Sequence, residues 1–292
     1  MTNTSFYDES LEKNKIEKGV LYLVATPIGN TADISERALK VLKNVDAIAA
    51  EDTRNTGKLL SVFDIKQNYI TYHEHNKAEA GEKIALRLLG GESIALVTDA
   101  GMPAISDPGE DLVKLCNEKG IKVTCVPGPC AFITALVLSG LDTRRFIFEG
   151  FLSAQNGERM KRLDELKDED RTLIFYEAPH KLKTTLSDML SVFGDRKIAL
   201  CRELTKLNEE VLHTTLTGAV DIYKSKEPRG EYVLVLEGAK KSKANDWENL
   251  SVDEHIDFYT KSGMPKMDAI KKVAKDRGVP KGDIYKLTIN KK

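Results

Sequence analysis

The stretch from Ser93 to Val126, SIALVTDAGMPAISDPGEDLVKLCNEKGIKVTCV, leaves this chain few folds to choose from. It opens on an aliphatic run, Ser93 to Thr98, with the length and character of a strand buried on both faces. Asp99 to Gly109 follows, and its two prolines and two glycines forbid both helix and ladder, so a shaped loop is expected. Asp107 then suits an N-cap and Pro108 a first helical position, while Leu112, Val113, Leu115 and Cys116 recur at helical spacing until Gly120 stops them. A second apolar run, Ile121 to Val126, completes a strand, helix, strand unit with a right-handed crossover between parallel strands. Ligands in such sheets sit beyond the carboxyl ends of the strands, where Asp99 to Asp107 lies.

The upstream sequence repeats this grammar. Strands are expected at Val20–Thr26, Asp46–Ala50 and Tyr69–Tyr72, and helices at Ile34–Leu42, Lys58–Phe63 and Glu79–Leu89. Each strand runs into a turn or polar burst: Pro27-Ile-Gly-Asn30, Glu51-Asp-Thr-Arg54 and His73-Glu-His-Asn76. Five strands with interleaved helices make a complete α/β domain. After Pro127-Gly-Pro129, the helix Ala131–Ser139 has no polar face and is expected to be buried between layers.

A second α/β unit follows, with strands Phe146–Phe151, Thr172–Tyr176 and Lys197–Cys201 and helices Glu158–Lys167 and Leu182–Phe193. His213–Leu216 and Tyr232–Glu237, with no long helix between them, read as antiparallel strands finishing a mixed sheet. Three short helices, His255–Tyr259, Lys266–Arg277 and Lys281–Leu287, then resemble a helix-turn-helix. The expected organisation is a flexible arm (1–18), an N-terminal α/β domain (19–139), a hinge (140–145), a second α/β domain (146–239), a linker (240–250) and a helical appendage (251–292).

A chain of 292 residues suits two domains and a small appendage. No apolar run approaches the roughly 20 residues that span a bilayer, and the N-terminus lacks a hydrophobic signal core, so a cytoplasmic protein with no membrane contact is expected. Cys116, Cys125, Cys130 and Cys201 show no Cys-x-x-Cys pairing and read as reduced, mostly buried thiols. The formal net charge of −1 hides an asymmetry: residues 261–292 carry ten Lys or Arg against three Asp, a net of +7, leaving −8 on the remainder. A basic tail on an acidic body suits a polyanionic partner, and equally a solvated Lys-rich helix surface.

The chain contains no phosphate-binding P-loop, no dinucleotide fingerprint and no Gly-x-Ser-x-Gly elbow, which disfavours kinases, ATPases, Rossmann dehydrogenases and α/β-hydrolases. His73 and His75 share a face of an extended segment but have no third ligand at useful spacing, so no metal is expected. In the central loop Gly101 permits close approach, Met102 and Ile105 offer apolar contact, and Asp99 and Ser106 can hold hydroxyl or amino groups. That suits a nucleoside-like small molecule; the alternative is a buried crossing loop whose polar residues cap helices.

Eight ordered motifs carry a resemblance: Ala25-Thr-Pro-Ile-Gly-Asn30, Glu51-Asp-Thr-Arg54, His73-Glu-His-Asn76, Thr98 to Gly109, Pro127-Gly-Pro129, Tyr176-Glu-Ala-Pro-His180, Arg202-Glu-Leu-Thr-Lys206 and Arg229-Gly-Glu231. In order and spacing they resemble the ribosomal RNA small subunit methyltransferase I family of the tetrapyrrole-methylase superfamily, the class III S-adenosylmethionine-dependent methyltransferases, over about Val20 to Ala239. The resemblance implies two α/β domains with S-adenosylmethionine in the interdomain cleft, a helix-turn-helix-like C-terminal appendage contacting RNA, a homodimer, and 2′-O-methylation of a cytidine ribose in small-subunit (16S) ribosomal RNA. It further implies cofactor contacts at Pro27, Ile28, Asp99, Met102, Pro103, Ile105, Cys130, Ala131, Tyr176 and Glu177. Cys130 stands where the family usually has Ser, which weakens or removes a side-chain hydrogen bond there.

Methyl transfer from a sulfonium to a hydroxyl is an in-line displacement that needs positioning, a proton acceptor and no metal. The rim residues Asp52, Arg54, Glu177, Arg202, Glu203 and Lys206 are expected to surround the acceptor, with a carboxylate taking the proton and Arg or Lys binding flanking phosphates. Each reads equally as an interdomain ion pair. Two other functions fit the same residues: a related methylase acting on a tetrapyrrole or other small molecule, and a non-catalytic RNA-binding scaffold.

Overall fold

The computed structural model describes residues 15–240 and 250–289, so most of the expected N-terminal arm and residues 241–249 of the expected linker lie outside the described residues. The chain divides into two compact units, Met1–Gly238 and Ala239–Lys292.

The first unit holds two five-stranded sheets. Strands β1 (Val20–Val24), β2 (Ala47–Ala50), β3 (Tyr69–Thr71), β4 (Ile94–Val97) and β5 (Lys122–Val126) form a sheet of order β3-β2-β4-β1-β5, parallel throughout. Side chains alternate across it: Val20, Tyr22, Val24, Ile48, Ala95 and Val97 enter one core, while Leu21, Ala47, Ala49, Ile94 and Leu96 enter the other. Helices α1 (Glu36–Asn44) and α2 (Thr53–Val62) cover the first face, and α3 (Lys77–Leu89) and α4 (Gly109–Glu118) the second. Burial on both faces is why β1, β2 and β4 read as unbroken apolar runs, whereas the edge strands β3 and β5 are partly exposed. α2 starts five residues before the expected Lys58, because Asp52 caps it by accepting from the Arg54 amide at 2.8 Å.

α5 (Ala131–Leu138) follows the first sheet, and it is not buried all round. Ala135 and Leu136 pack against the second sheet, but Ile133, Val137 (65% exposed) and Leu138 face outward. A uniformly apolar helix carries no signal of how many faces its neighbours cover, and here one layer covers one face.

The second sheet has the order β6-β7-β10-β8-β9. It comprises β6 (Phe146–Phe151), β7 (Thr172–Glu177), β8 (Lys197–Arg202), β9 (Glu210–Thr215) and β10 (Tyr232–Leu236). β6 and β7 are parallel; β10 runs antiparallel between β7 and β8, and β9 pairs antiparallel with β8, so the sheet is mixed. Helices α6 (Asn156–Glu165), α7 (Pro179–Phe193) and α8 (Leu216–Ser225) pack on its outer face. α8 corrects the expectation of no long helix before the last strand: Thr215 caps it by accepting from the Gly218 amide at 3.2 Å, and Leu216 opens the helix instead of ending β9.

In the second unit α9 (Val252–Lys261), α10 (Lys266–Asp276) and α11 (Lys281–Ile289) enclose Ile256, Ala269, Ile270, Val273, Ala274 and Ile284. Ser251 and Glu254 form a capping box at the start of α9. Among the described residues no helix is long and apolar enough to cross a membrane.

Candidate active site

The central loop is fastened to the end of β1. Thr26 and Gly101 exchange backbone hydrogen bonds of 2.9 and 3.0 Å, and the Thr26 hydroxyl donates to the Thr98 carbonyl at 3.1 Å. Gly101 has φ of +86°, a conformation that favours glycine, and a β-carbon there would sit 3.2 Å from the Ile28 side chain. Ala104 and Ser106 also hold positive φ, at 68° and 63°. The Asp107 carboxylate over-determines that strained backbone by accepting from the amides of Ala104 (3.0 Å), Ile105 (3.2 Å) and Gly109 (2.7 Å). Asp107 therefore organises the loop as well as the start of α4.

Between this loop and the carboxyl end of β7 lies a cavity of about 750 Å³. Of the residues expected at the cofactor, Ile28, Gly101, Met102, Ile105, Ser106, Cys130, Ala131, Tyr176 and Glu177 line it, whereas Pro27, Asp99 and Pro103 do not. Pro103 is buried beneath the loop, and Asp99 accepts from the Asn55 amide group at 3.0 Å. Of the expected rim residues, Glu177, Glu203 and Lys206 line the cavity, while Asp52, Arg54 and Arg202 lie off it. Arg54 is splinted to Asp52 through Nε and Nη2 at 3.2 and 3.0 Å, which holds the Asp52 carboxyl down at about 2. Arg202 faces Glu210 across the β8–β9 pair at 3.0 Å, a cross-strand ion pair that only the register reveals.

Glu177, 4% exposed, ends β7 with its carboxylate satisfied by the Ala178 amide (2.8 Å) and the Thr185 hydroxyl (2.5 Å), tying the strand end to α7. Lys206 donates to Glu203 at 3.0 Å and to Glu231 at 2.9 Å, and the Glu231 amide donates back to Glu203 at 3.0 Å. The Glu231 amide, with help from Lys206, lowers the Glu203 carboxyl. Burial opposes the Lys206 charge, but its two carboxylates outweigh this and raise it. Tyr176 is pushed up to about 12 by burial, and Phe151, 60% exposed, stands beside it at a ring separation of 5.4 Å. A β-bulge between Phe148 and Gly150 precedes Phe151, the kind of irregularity that re-aims a side chain.

Several lining residues lie outside the sets expected at the cofactor and the acceptor: Glu51, Glu74, Phe151, His180, Glu231 and Tyr232. Glu51, Glu74, His180 and Glu231 all belong to the motifs quoted above, which is the available signal. The rings of His73 and His75 stand 5.9 Å apart, and among the described residues no group of three or more His, Cys, Asp or Glu is placed to hold a metal ion. All four cysteines are free; Cys116 and Cys201 are buried and Cys130 half-buried, but Cys125 is exposed because β5 is an edge strand.

The family described as Tetrapyrrole (Corrin/Porphyrin) Methylases matches residues 20–220. The chain is 50% identical over 274 residues to "Ribosomal RNA small subunit methyltransferase I" of Halalkalibacterium halodurans, covering 93% of this chain and 95% of that protein. It is 47% identical to the protein of the same name from Bacillus subtilis, covering 93% of this chain and 94% of that one. Among solved structures it resembles cobalt precorrin-4 methyltransferase, a cobalamin biosynthetic enzyme (TM-score 0.56, 16% identity, 75% of this chain and 95% of that one). It also resembles uroporphyrin-III-C-methyltransferase from Thermus thermophilus (TM-score 0.54, 19% identity, 75% and 94%). At that identity the structural likeness concerns the fold alone.

Proposed function

The chain belongs to the tetrapyrrole methylase family, and from that premise we propose that it transfers a methyl group from S-adenosylmethionine to a cytidine ribose 2′-hydroxyl in small-subunit ribosomal RNA. The observation that carries this reading is the cavity, built from the strained loop after β4 on one side and the ends of β7, β8 and β10 on the other. Its volume of about 750 Å³ falls in the range of roughly 300–1,000 Å³ for small-molecule sites.

The lining fits the donor's chemistry. Ile28, Met102, Ile105, Ala131 and Val233 offer an apolar wall for a purine, and Gly101 brings backbone to the surface. The carboxylates around the wall favour a positively charged group. Bound there, the donor supplies an electrophilic methyl on a sulfonium. The chain's own work is to align that methyl with the acceptor, exclude water and receive the acceptor's proton. Lys206, fixed between Glu203 and Glu231, orders the wall formed by the loop after β8.

RNA, as the acceptor, accounts for the basic run from residue 261 to 292, with ten Lys or Arg against three Asp. A ribosomal substrate supports a cytoplasmic location. The outward apolar face of α5 supports a homodimer, which sedimentation of the wild type and Val137→Asp tests. Calorimetry with S-adenosylmethionine, followed by methyl transfer to isolated small-subunit RNA and to assembled subunits, tests the function: micromolar donor binding with RNA labelling supports it. Donor binding with transfer only to a porphyrinoid sinks it.

A further inference from the structure

Six carboxylates line the cavity: Glu51, Glu74, Asp107, Glu177, Glu203 and Glu231. Five are engaged. Glu74 pairs with Lys77 at 2.7 Å, and Asp107 accepts three loop amides. Glu177 is held by the Ala178 amide and Thr185, and Glu203 and Glu231 share Lys206. Glu51 alone among them makes no hydrogen bond or ion pair with the described residues.

Its place in the fold is equally distinctive. Glu51 directly follows β2, a strand flanked by β3 and β4, so its side chain stands at the carboxyl edge of the parallel sheet. His73 and Glu74 follow β3, Asp99 and Asp107 follow β4, and Asp52 caps α2; these are the titratable groups around it. Glu51 is exposed at the cavity rim, and the partial desolvation of its carboxyl there raises it; Asp99, Asp107 and Asp52 raise it further, and His73 opposes them. An unpaired carboxylate facing a donor-sized cavity, with its proton affinity raised, is suited to accept a proton from an acceptor hydroxyl.

Resting on the functional reading above, we propose that Glu51 is the catalytic base that takes the proton of the acceptor hydroxyl. In the step, the hydroxyl oxygen forms a bond to the sulfonium methyl as the carbon–sulfur bond breaks. The electron pair of that bond stays on sulfur as a neutral thioether, and the hydroxyl proton passes to a Glu51 carboxylate oxygen. The cationic donor and the anionic carboxylate become neutral together, so charge balances without a further reactant.

The test compares wild type, Glu51→Gln and Glu51→Asp in single-turnover methylation of small-subunit RNA across pH, with donor affinity by calorimetry and an infrared titration of the carboxyl taken as wild type minus Glu51→Gln. Removing an unpaired carboxylate from an acidic surrounding leaves the fold intact. The expected loss in Glu51→Gln is about 100- to 10,000-fold in transfer rate with donor affinity unchanged. The wild-type rate rises with pH through the raised carboxyl pKa, that limb vanishes in Glu51→Gln, and Glu51→Asp recovers part of the rate. The assignment is overturned if Glu51→Gln keeps the rate and the limb, if its loss is matched by lost donor affinity, or if the infrared titration finds an ordinary or lowered proton affinity. Wild-type protein that binds donor yet methylates no RNA overturns the functional reading instead, before any variant is made.

Discussion

Gly29 lies in the turn after β1, against the loop that follows β8, and replacing it with alanine probes how the two sheets close on the cavity. A β-carbon there would collide with the Lys206 side chain, reach the Thr205 hydroxyl at 2.7 Å and meet the Leu204 carbonyl at 2.9 Å. The carbonyl has little room to retreat, because Glu203 and Thr205 on either side already hold positive φ of 51° and 64°. Each such residue stores about 1–2 kcal/mol of strain. Lys206 is pinned by Glu203 and Glu231, a partly exposed network worth below about 1 kcal/mol. Overpacking typically costs about 1–3 kcal/mol, and with the network disturbed the expected cost is about 2–3 kcal/mol, or a fall of about 4–10 °C in Tm. Scanning calorimetry measures the fall, and titration should show weakened donor binding because Leu204 and Lys206 line the cavity. Gly157→Ala is the control of opposite sign: it lies in α6 with nothing near its absent β-carbon, and should stabilise by about 0.5–1 kcal/mol. A Gly29→Ala protein with wild-type Tm and donor affinity would refute the close approach.

Cys130 caps α5 from an extended backbone without a side-chain hydrogen bond, so Cys130→Ser should add about 0.5–1 kcal/mol; an unchanged Tm would show that the site cannot use a cap. Phe151→Ala should leave Tm almost unmoved, since the ring is 60% exposed, yet raise KM for RNA about tenfold by removing a stacking face; a loss of donor affinity instead would place the donor's adenine on that ring. The Asp46 carboxyl is lowered by hydrogen bonds from the Ser93 amide and hydroxyl, each 2.7 Å, so its stabilisation is complete above the ordinary value of 3.8 and fades as pH falls through the lowered folded value. The stability gap between wild type and Ser93→Ala, measured by urea unfolding, should therefore narrow in acid; a gap independent of pH would contradict this.

The inner strands of the parallel sheet were legible because burial on both faces turns them into unbroken apolar runs, and because the prolines and glycines of 99–109 punctuate the loop. α8 was hidden by Gly218 and by Val220 and Ile222, which weaken a helical reading of ten residues whose stability comes from packing on the second sheet. In Glu51-Asp-Thr-Arg54 it is Glu51 that reaches the cavity, whereas Asp52 and Arg54, expected at the acceptor, satisfy each other at the start of α2. The cap was readable from Asp52-Thr-Arg-Asn55; the self-pairing of Asp52 and Arg54 was not, because it depends on rotamers. The role of Arg202 was equally invisible, since its partner Glu210 is set by strand register.

The central claim is most directly tested by incubating the protein with tritiated S-adenosylmethionine and small ribosomal subunits from cells lacking it, then hydrolysing the RNA in alkali. A 2′-O-methyl group blocks cleavage at its own nucleotide, so the account predicts label in one alkali-stable dinucleotide with cytidine on the 5′ side. Label in mononucleotides, or an RNA that stays unlabelled while a tetrapyrrole accepts the methyl, would contradict it.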